Sequence, residues 1–198
     1  RNLRVSNTRE MDLYVSMDNR LGGTLEEPEL SGRFSLERGD IYLDNFGEEQ
    51  VEAVVLQGEE QSTFGEDFYD ALRMEMNVLI NRRVLVRNRR NPELNLEMEG
   101  ELDAVKPPGG ELELFGEVSL PDGSATTLGR RFVLDDGSII FSGPVENPRF
   151  DIRLSYRIRR EDDVRIIYII SGTAEEPEFT FESEPEMEFQ DIISYTLF

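Results

Sequence analysis

Apolar and polar residues alternate with a period of two along most of this 198-residue chain. From Leu72 the even positions read Leu72, Met74, Met76, Val78 and Ile80, with Arg73, Glu75, Asn77, Leu79 and Asn81 between them. Successive side chains of a β-strand point to opposite faces, so the pattern predicts a strand with one dry and one wet face. The stretch "ELNLEMEGEL" repeats it, setting Leu94, Leu96, Met98 and Leu102 against Glu93, Asn95, Glu97, Glu99 and Glu101. A helix would smear those charges around its circumference. "DIRLSYRI" places Ile152, Leu154, Tyr156 and Ile158 opposite Asp151, Arg153, Ser155 and Arg157, and Ile166, Tyr168 and Ile170 carry the apolar set onward. Shorter versions run from Leu13 to Met17 and from Leu112 to Leu120.

Turn chemistry punctuates these runs, with "PPGG" at 107–110, "PDGS" at 121–124 and "DDGS" at 135–138 at hairpin spacing. Helical signals are confined to "GEDFYDALRM" after Gly65 and to "FQDIISYTLF", where Asp191 favours a helix start. The expected fold class is therefore all-β, a single elongated β domain over residues 1–198. Two internal echoes support a repetitive sheet. "GRFSLERGDIYL" at 32–43 matches "RRFVLDDGSIIF" at 130–141, both readable as strand, Gly-containing turn, strand. This aligns Phe34 with Phe132, Leu36 with Leu134, Ile41 with Ile139 and Leu43 with Phe141. "GTLEEPEL" at 23–30 returns as "GTAEEPEF" at 172–179. Pro28, Pro92, Pro148 and Pro177 each lead into alternation, as suits a residue that opens a strand but does not sit centrally in one.

Charge and composition narrow the chemistry. The net charge of −21 disfavours nucleic acid and anionic membrane surfaces, because phosphate contacts need clustered cations. Lys106 is the single lysine of the chain, and an acidic, arginine-rich, lysine-poor surface resembles those of proteins from salt-loving organisms, where ionic strength screens self-repulsion. Without Cys or His there is no disulfide, thiolate, imidazole base or His-containing triad. The carboxylate pairs Glu26–Glu27 and Asp135–Asp136 are what so acidic a chain produces without function, so no catalytic residue is assigned. "EDDVR" at 161–165 and the Asp-Gly-Ser turns offer oxygens to calcium but lack the ligand ladder of an EF-hand, so no metal or cofactor is assigned. "NRRVLVRNRR" at 81–90, the one basic cluster, reads as a strand whose arginines pair with a neighbouring acidic face. No membrane-length apolar run occurs, and the chain opens at Arg1, so it reads as a fragment of something longer with any membrane anchor outside it.

An alternating sheet must cover its apolar face. A second sheet gives a closed β-sandwich, closure in lipid gives a barrel, and curling gives a groove. The face is rich in Leu, Ile, Val, Met and Phe and lacks Trp, which suits acyl chains better than sugars.

Residues 129–198 go further than pattern. Gly129, Phe132, Leu134, Gly137, Ile139, Phe141 and Gly143 are followed by Asn147-Pro148, Phe150-Asp151-Ile152 and Tyr156. After these come the apolar strand ending at Gly172, the Pro177-Glu178-Phe179 step, Ser183, Pro185, Met187 and the closing "DIISYTLF". This order resembles the C-terminal domain of the TamB family, whose closing segment typically reads Asp-Ile-Leu-Ser-Tyr-Leu-Leu-Phe-Gly-Arg. Here Thr196 stands for a Leu and Phe198 is the last residue, while residues 1–128 share only the family's strand grammar.

The resemblance implies a curled, β-taco-like sheet, antiparallel or mixed, with an aliphatic concave face. It also implies a place in the periplasm of a diderm bacterium, in a protein anchored in the inner membrane. The implied partners are phospholipid acyl chains and, through the C-terminal region, an Omp85-type (TamA-like) outer-membrane protein. Transport of phospholipid between the membranes and support of outer-membrane protein assembly are the implied roles, with no enzyme activity. On this reading the groove is lined by the apolar sets above: residues 72–80, 94–98, 152–158 and 166–170 together with Phe132, Leu134, Ile139 and Phe141.

Overall fold

A computed structural model of the chain describes residues 3–7, 11–42, 63–89, 93–127, 129–158 and 164–197. Leu43, Arg90, Pro92, residues 161–163 and Phe198 lie outside these. Alternation folds as it should, into one 11-stranded sheet. The first strands are β1 (Leu3–Asn7), β2 (Met11–Gly23) and β3 (Pro28–Tyr42), followed by helix α1 (Thr63–Ala71). Then come β4 (Arg73–Asn88), β5 (Glu93–Lys106), β6 (Glu113–Ser119), β7 (Gly123–Thr127) and β8 (Arg130–Pro144). The chain closes with β9 (Arg149–Ile158), β10 (Val164–Thr173), β11 (Pro177–Glu184) and helix α2 (Phe189–Leu197).

Spatial order follows sequence order from β1 to β11, except that β6 and β7 lie end to end between β5 and β8. Every described pair is antiparallel save β3 with β4, which run parallel, so the sheet is mixed. Among the described residues there is one sheet and not two stacked ones.

Three stretches read as turns prove to be something else. The echoed segments are not hairpins: 130–141, and 32–42 of the first copy, each lie within one long strand, β8 or β3, that slips register in its middle. In β3 the slip leaves Glu37 without a partner in β2, and in β8 it leaves Asp135 without one in β9. "DDGS" is thus a bulge, and "PDGS" interrupts a single strand line between β6 and β7. Only "PPGG" is the hairpin turn expected, closed by Gly110 N donating to Pro107 O at 3.0 Å. β4 carries the matching irregularity, since Asn81, Arg82 and Arg83 face the single residue Glu99 of β5.

These slips fall at the same level from β3 to β8, so they form a crease across the strands. Bulges bend strands and sharpen their twist, and a line of them folds the sheet onto its apolar face. Ring geometry registers the curvature. Phe132 on β8 and Phe181 on β11 are three strand spacings apart, about 14 Å if the sheet were flat. Their ring centroids lie 6.2 Å apart. The apolar face is therefore concave.

The crease also explains how one sheet buries its own core. Val15, Val84, Val118, Ala125, Phe132, Leu154 and Ile166 are each at most 1% exposed and belong to one cluster, which Ile192 of α2 joins from the C-terminal end. Burial of this kind stabilises by about 25 cal/mol per Å² of apolar surface.

Candidate functional site: a creased apolar trough

The crease divides the concave face into two walls. On the first lie Met74, Met76 and Val78 of β4 beside Phe34 of β3, Leu114 of β6, Ile139 and Phe141 of β8, Phe150 of β9 and Ile170 of β10. All of these side chains are half-buried. On the second lie Leu96, Phe132, Leu154, Ile158, Ile166 and Tyr168, all buried, with Leu94, Leu134 and Tyr156 half-buried beside them. Ile80, Met98 and Ile152 sit at the crease and are buried as well. Leu72 is buried too, but in the link between α1 and β4, one residue before the strand in which the alternation placed it.

Sixteen of the nineteen predicted lining residues belong to one apolar cluster; Met74 and Met76 share a face of β4 with Val78 outside it, and Leu72 stands before the strand. The second wall is filled by its own aromatic contacts. Phe132 meets Tyr156 at 5.9 Å and Tyr168 at 6.0 Å between centroids, and Tyr168 stacks on Phe181 at 4.7 Å. Burial raises the Tyr168 hydroxyl pKa above its ordinary value of 10.0. The first wall keeps aliphatic surface in reach of a ligand.

One polar residue on the trough escaped the sequence reading. Lys106 lies in the even phase of β5, opposite Met74, and is 1% exposed. Its ammonium donates to the carbonyl oxygens of Asp70 at 3.3 Å, Leu72 at 3.4 Å and Pro107 at 3.4 Å, and sits 4.7 Å from the Tyr69 ring centre. A cation at the C-terminal end of α1 satisfies carbonyls that the helix leaves open and complements its dipole. Lys106 therefore ties α1 to the rim of the first wall. The parity of "ELNLEMEGELDAVK" already put it on the dry face, which was the available signal.

The convex face carries most of the charged side chains beside Val133, Ile167 and Ile169, and is cross-linked between strands. Arg87 pairs with Asp40 at 2.7 Å and Arg82 with Glu97 at 3.4 Å, as the basic cluster predicted. Asp135, the bulged residue of β8, accepts from the Ser155 hydroxyl at 2.9 Å and pairs with Arg165 at 2.9 Å, which also meets Glu184 at 3.2 Å. That network links β8, β9, β10 and β11. The bond to Glu184, with Asp135 assisting, raises the Arg165 pKa.

The repeated octapeptide builds the same turn twice. Thr24 N donates to Glu27 O at 3.1 Å and Glu27 N to the Thr24 hydroxyl at 3.1 Å; Thr173 and Glu176 repeat both bonds at 3.2 Å. Gly23 at φ 77° and Gly172 at φ 82° need the left-handed region in which glycine is at ease. Pro28 and Pro177 open the next strands as expected.

The family comparison fits this geometry. The TamB C-terminal domain family matches residues 1–198, the entire chain. The chain belongs to the TamB family. The match takes in residues 1–128, where the motifs alone carried only a strand pattern. Among curated proteins, the TamB-family relative "Translocation and assembly module subunit TamB" of Haemophilus influenzae is 31% identical over 106 residues. That alignment covers 52% of this chain and 8% of the relative, so the chain corresponds to a small part of the TamB protein it matches.

Proposed function

We propose that this chain is a non-enzymatic periplasmic segment of a TamB-like protein whose apolar trough holds phospholipid acyl chains. In this reading the protein is anchored in the inner membrane of a diderm bacterium, carries phospholipid towards the outer membrane and supports outer-membrane protein assembly. An Omp85-type (TamA-like) partner docks through the C-terminal region. The observation that carries the reading is the first wall: Met74, Met76, Val78, Ile139, Phe141 and Ile170 keep part of their apolar surface accessible on a concave face whose other wall is mostly buried. Acyl chains need apolar contact without directional partners, and aliphatic and thioether side chains supply it.

A second reading, a scaffold that adds a partner strand to its edge, is favoured by β11. That strand ends the spatial order, and Pro177, Glu178, Phe179 and Thr180 are exposed.

One experiment separates the two. Photo-crosslinkers placed in the full-length protein in cells at Met76 and Ile139 are expected to yield lipid adducts, and those at Glu75 and Glu117 none. Equal or absent lipid adducts on the two faces would overturn the trough. Protein adducts at Thr180 without lipid at Met76 would establish the edge scaffold in its place.

A further inference from the structure

The second wall has a different chemistry on its convex side. A cavity of about 480 Å³ opens there, where β4 ends, β5 begins, β7 ends and β8 begins. Its lining includes Arg87 and Arg89 at the end of β4 and Arg131 of β8, with β5 and β7 between them, in a chain of net charge −21. Asn95, Ser124 and Thr126 add an amide and two hydroxyl groups between them. Two carboxylates stand against the three guanidinium groups: Glu93 in the lining, and Asp40 beside Arg87. Although Arg87 Nε and Asp40 Oδ1 are only 2.7 Å apart, both are buried and neither has a well-directed hydrogen bond. Arg89 is steadied over the Tyr42 ring at 4.5 Å, and Arg131 is exposed.

Around the pocket the strand ends place Arg87, Arg89, Arg130, Arg131 and Arg157 beside Asp40 and Glu93. At the opposite rim the connections 24–27, 107–112, 145–148 and 174–176 hold Glu26, Glu27, Glu111, Glu146, Glu175 and Glu176, and Arg73 and Arg149 open the strands next to them. Among these residues guanidinium groups outnumber carboxylates at the pocket's rim, where an anion meets forked donors.

We propose that this pocket binds a phosphate group, with Arg87, Arg89 and Arg131 as charge partners and Asn95, Ser124 and Thr126 as neutral donors. Several guanidinium groups with hydroxyl donors suit an anion that offers three or more oxygens better than a lone carboxylate. The group is either free phosphate or the headgroup of a lipid. This site stands apart from the acyl-chain reading, because it opens on the opposite face of the sheet.

The test titrates the full chain with inorganic phosphate alone, following the backbone amides of Asn95, Ser124 and Thr126 by NMR. A parallel arm floats the chain with phosphatidylcholine vesicles, with and without phosphatidic acid. Phosphate is expected to shift those amides, and Arg89→Gln or Arg131→Gln to weaken binding roughly tenfold each, the scale of one charge-assisted contact. Glu93→Gln is expected to tighten it. Binding of inorganic phosphate without flotation marks free phosphate as the ligand; flotation that depends on phosphatidic acid and on Arg131 marks a headgroup. No shift and no flotation overturn the site. So does wild-type affinity in both arginine variants when their circular dichroism is unchanged, or equal shifts with chloride, which would mean an adventitious ion only.

Discussion

Lys106 shows how one side chain can fix the position of an element. Its ammonium is removed from water and held by three carbonyl oxygens and a ring, so its burial is matched donor by donor. Lys106→Met keeps an apolar stem but removes the ammonium donor to Leu72 O, while Asp70 O and Pro107 O keep the amides of Gly109 and Gly110. The expected cost is roughly 1–3 kcal/mol, the desolvation of unsatisfied buried polar groups. Amide hydrogen exchange should locate the loss in α1, with faster exchange at Asp70 and Ala71 while the strands of the second wall stay protected. Unchanged protection there would remove the tethering role. Sequence parity placed Lys106 on the dry face, but periodicity carries no information on where a helix ends in space, so its partners were not legible.

At the scale of elements, the duplicated turn gives an internal control. A Cβ on Gly23 would lie 2.1 Å from Glu27 O, and one on Gly172 would lie 2.4 Å from Glu176 O. Gly22, next in line, has open space around it. Gly23→Ala and Gly172→Ala are each expected to cost about 1–3 kcal/mol, from a strained backbone plus the clash, and Gly22→Ala close to nothing. Chemical denaturation midpoints check this; equal effects at Gly22 and Gly23 would deny the turn its special geometry.

The alternation and this turn were legible because period two and the Gly-Thr-x-Glu-Glu-Pro order are local properties. The crease was not read, yet its mark is present: apolar positions step by five from Leu36 to Ile41 and from Leu134 to Ile139, an odd step that breaks the parity of a plain strand. A hairpin and a bulge both use Asp, Gly and an odd step, and only the pairing partner distinguishes them. The walls' differing openness was illegible for a related reason. Met76 and Leu154 have the same local pattern, and their exposure depends on strands far away in sequence.

Across the whole molecule, self-repulsion opposes the fold. With 42 acidic against 21 basic residues and six glutamates in the turns of one rim, screening should favour the compact state. The thermal midpoint is therefore expected to rise as sodium chloride is raised from low to about physiological ionic strength, where the Debye length is roughly 8 Å. A midpoint that falls or stays level would show that the convex ion pairs, which salt weakens, outweigh the repulsion.

The sorting of those glutamates follows from the one parallel pair. A pure meander sends successive turns to alternate rims, so the β10–β11 turn would emerge opposite the β2–β3 turn. The crossover between β3 and β4 adds one passage along the sheet and inverts that parity. Both copies of the acidic octapeptide are thereby brought to one side, and the trough acquires handedness: a ligand lying across it meets a different charge at each rim, whichever way the chain is approached.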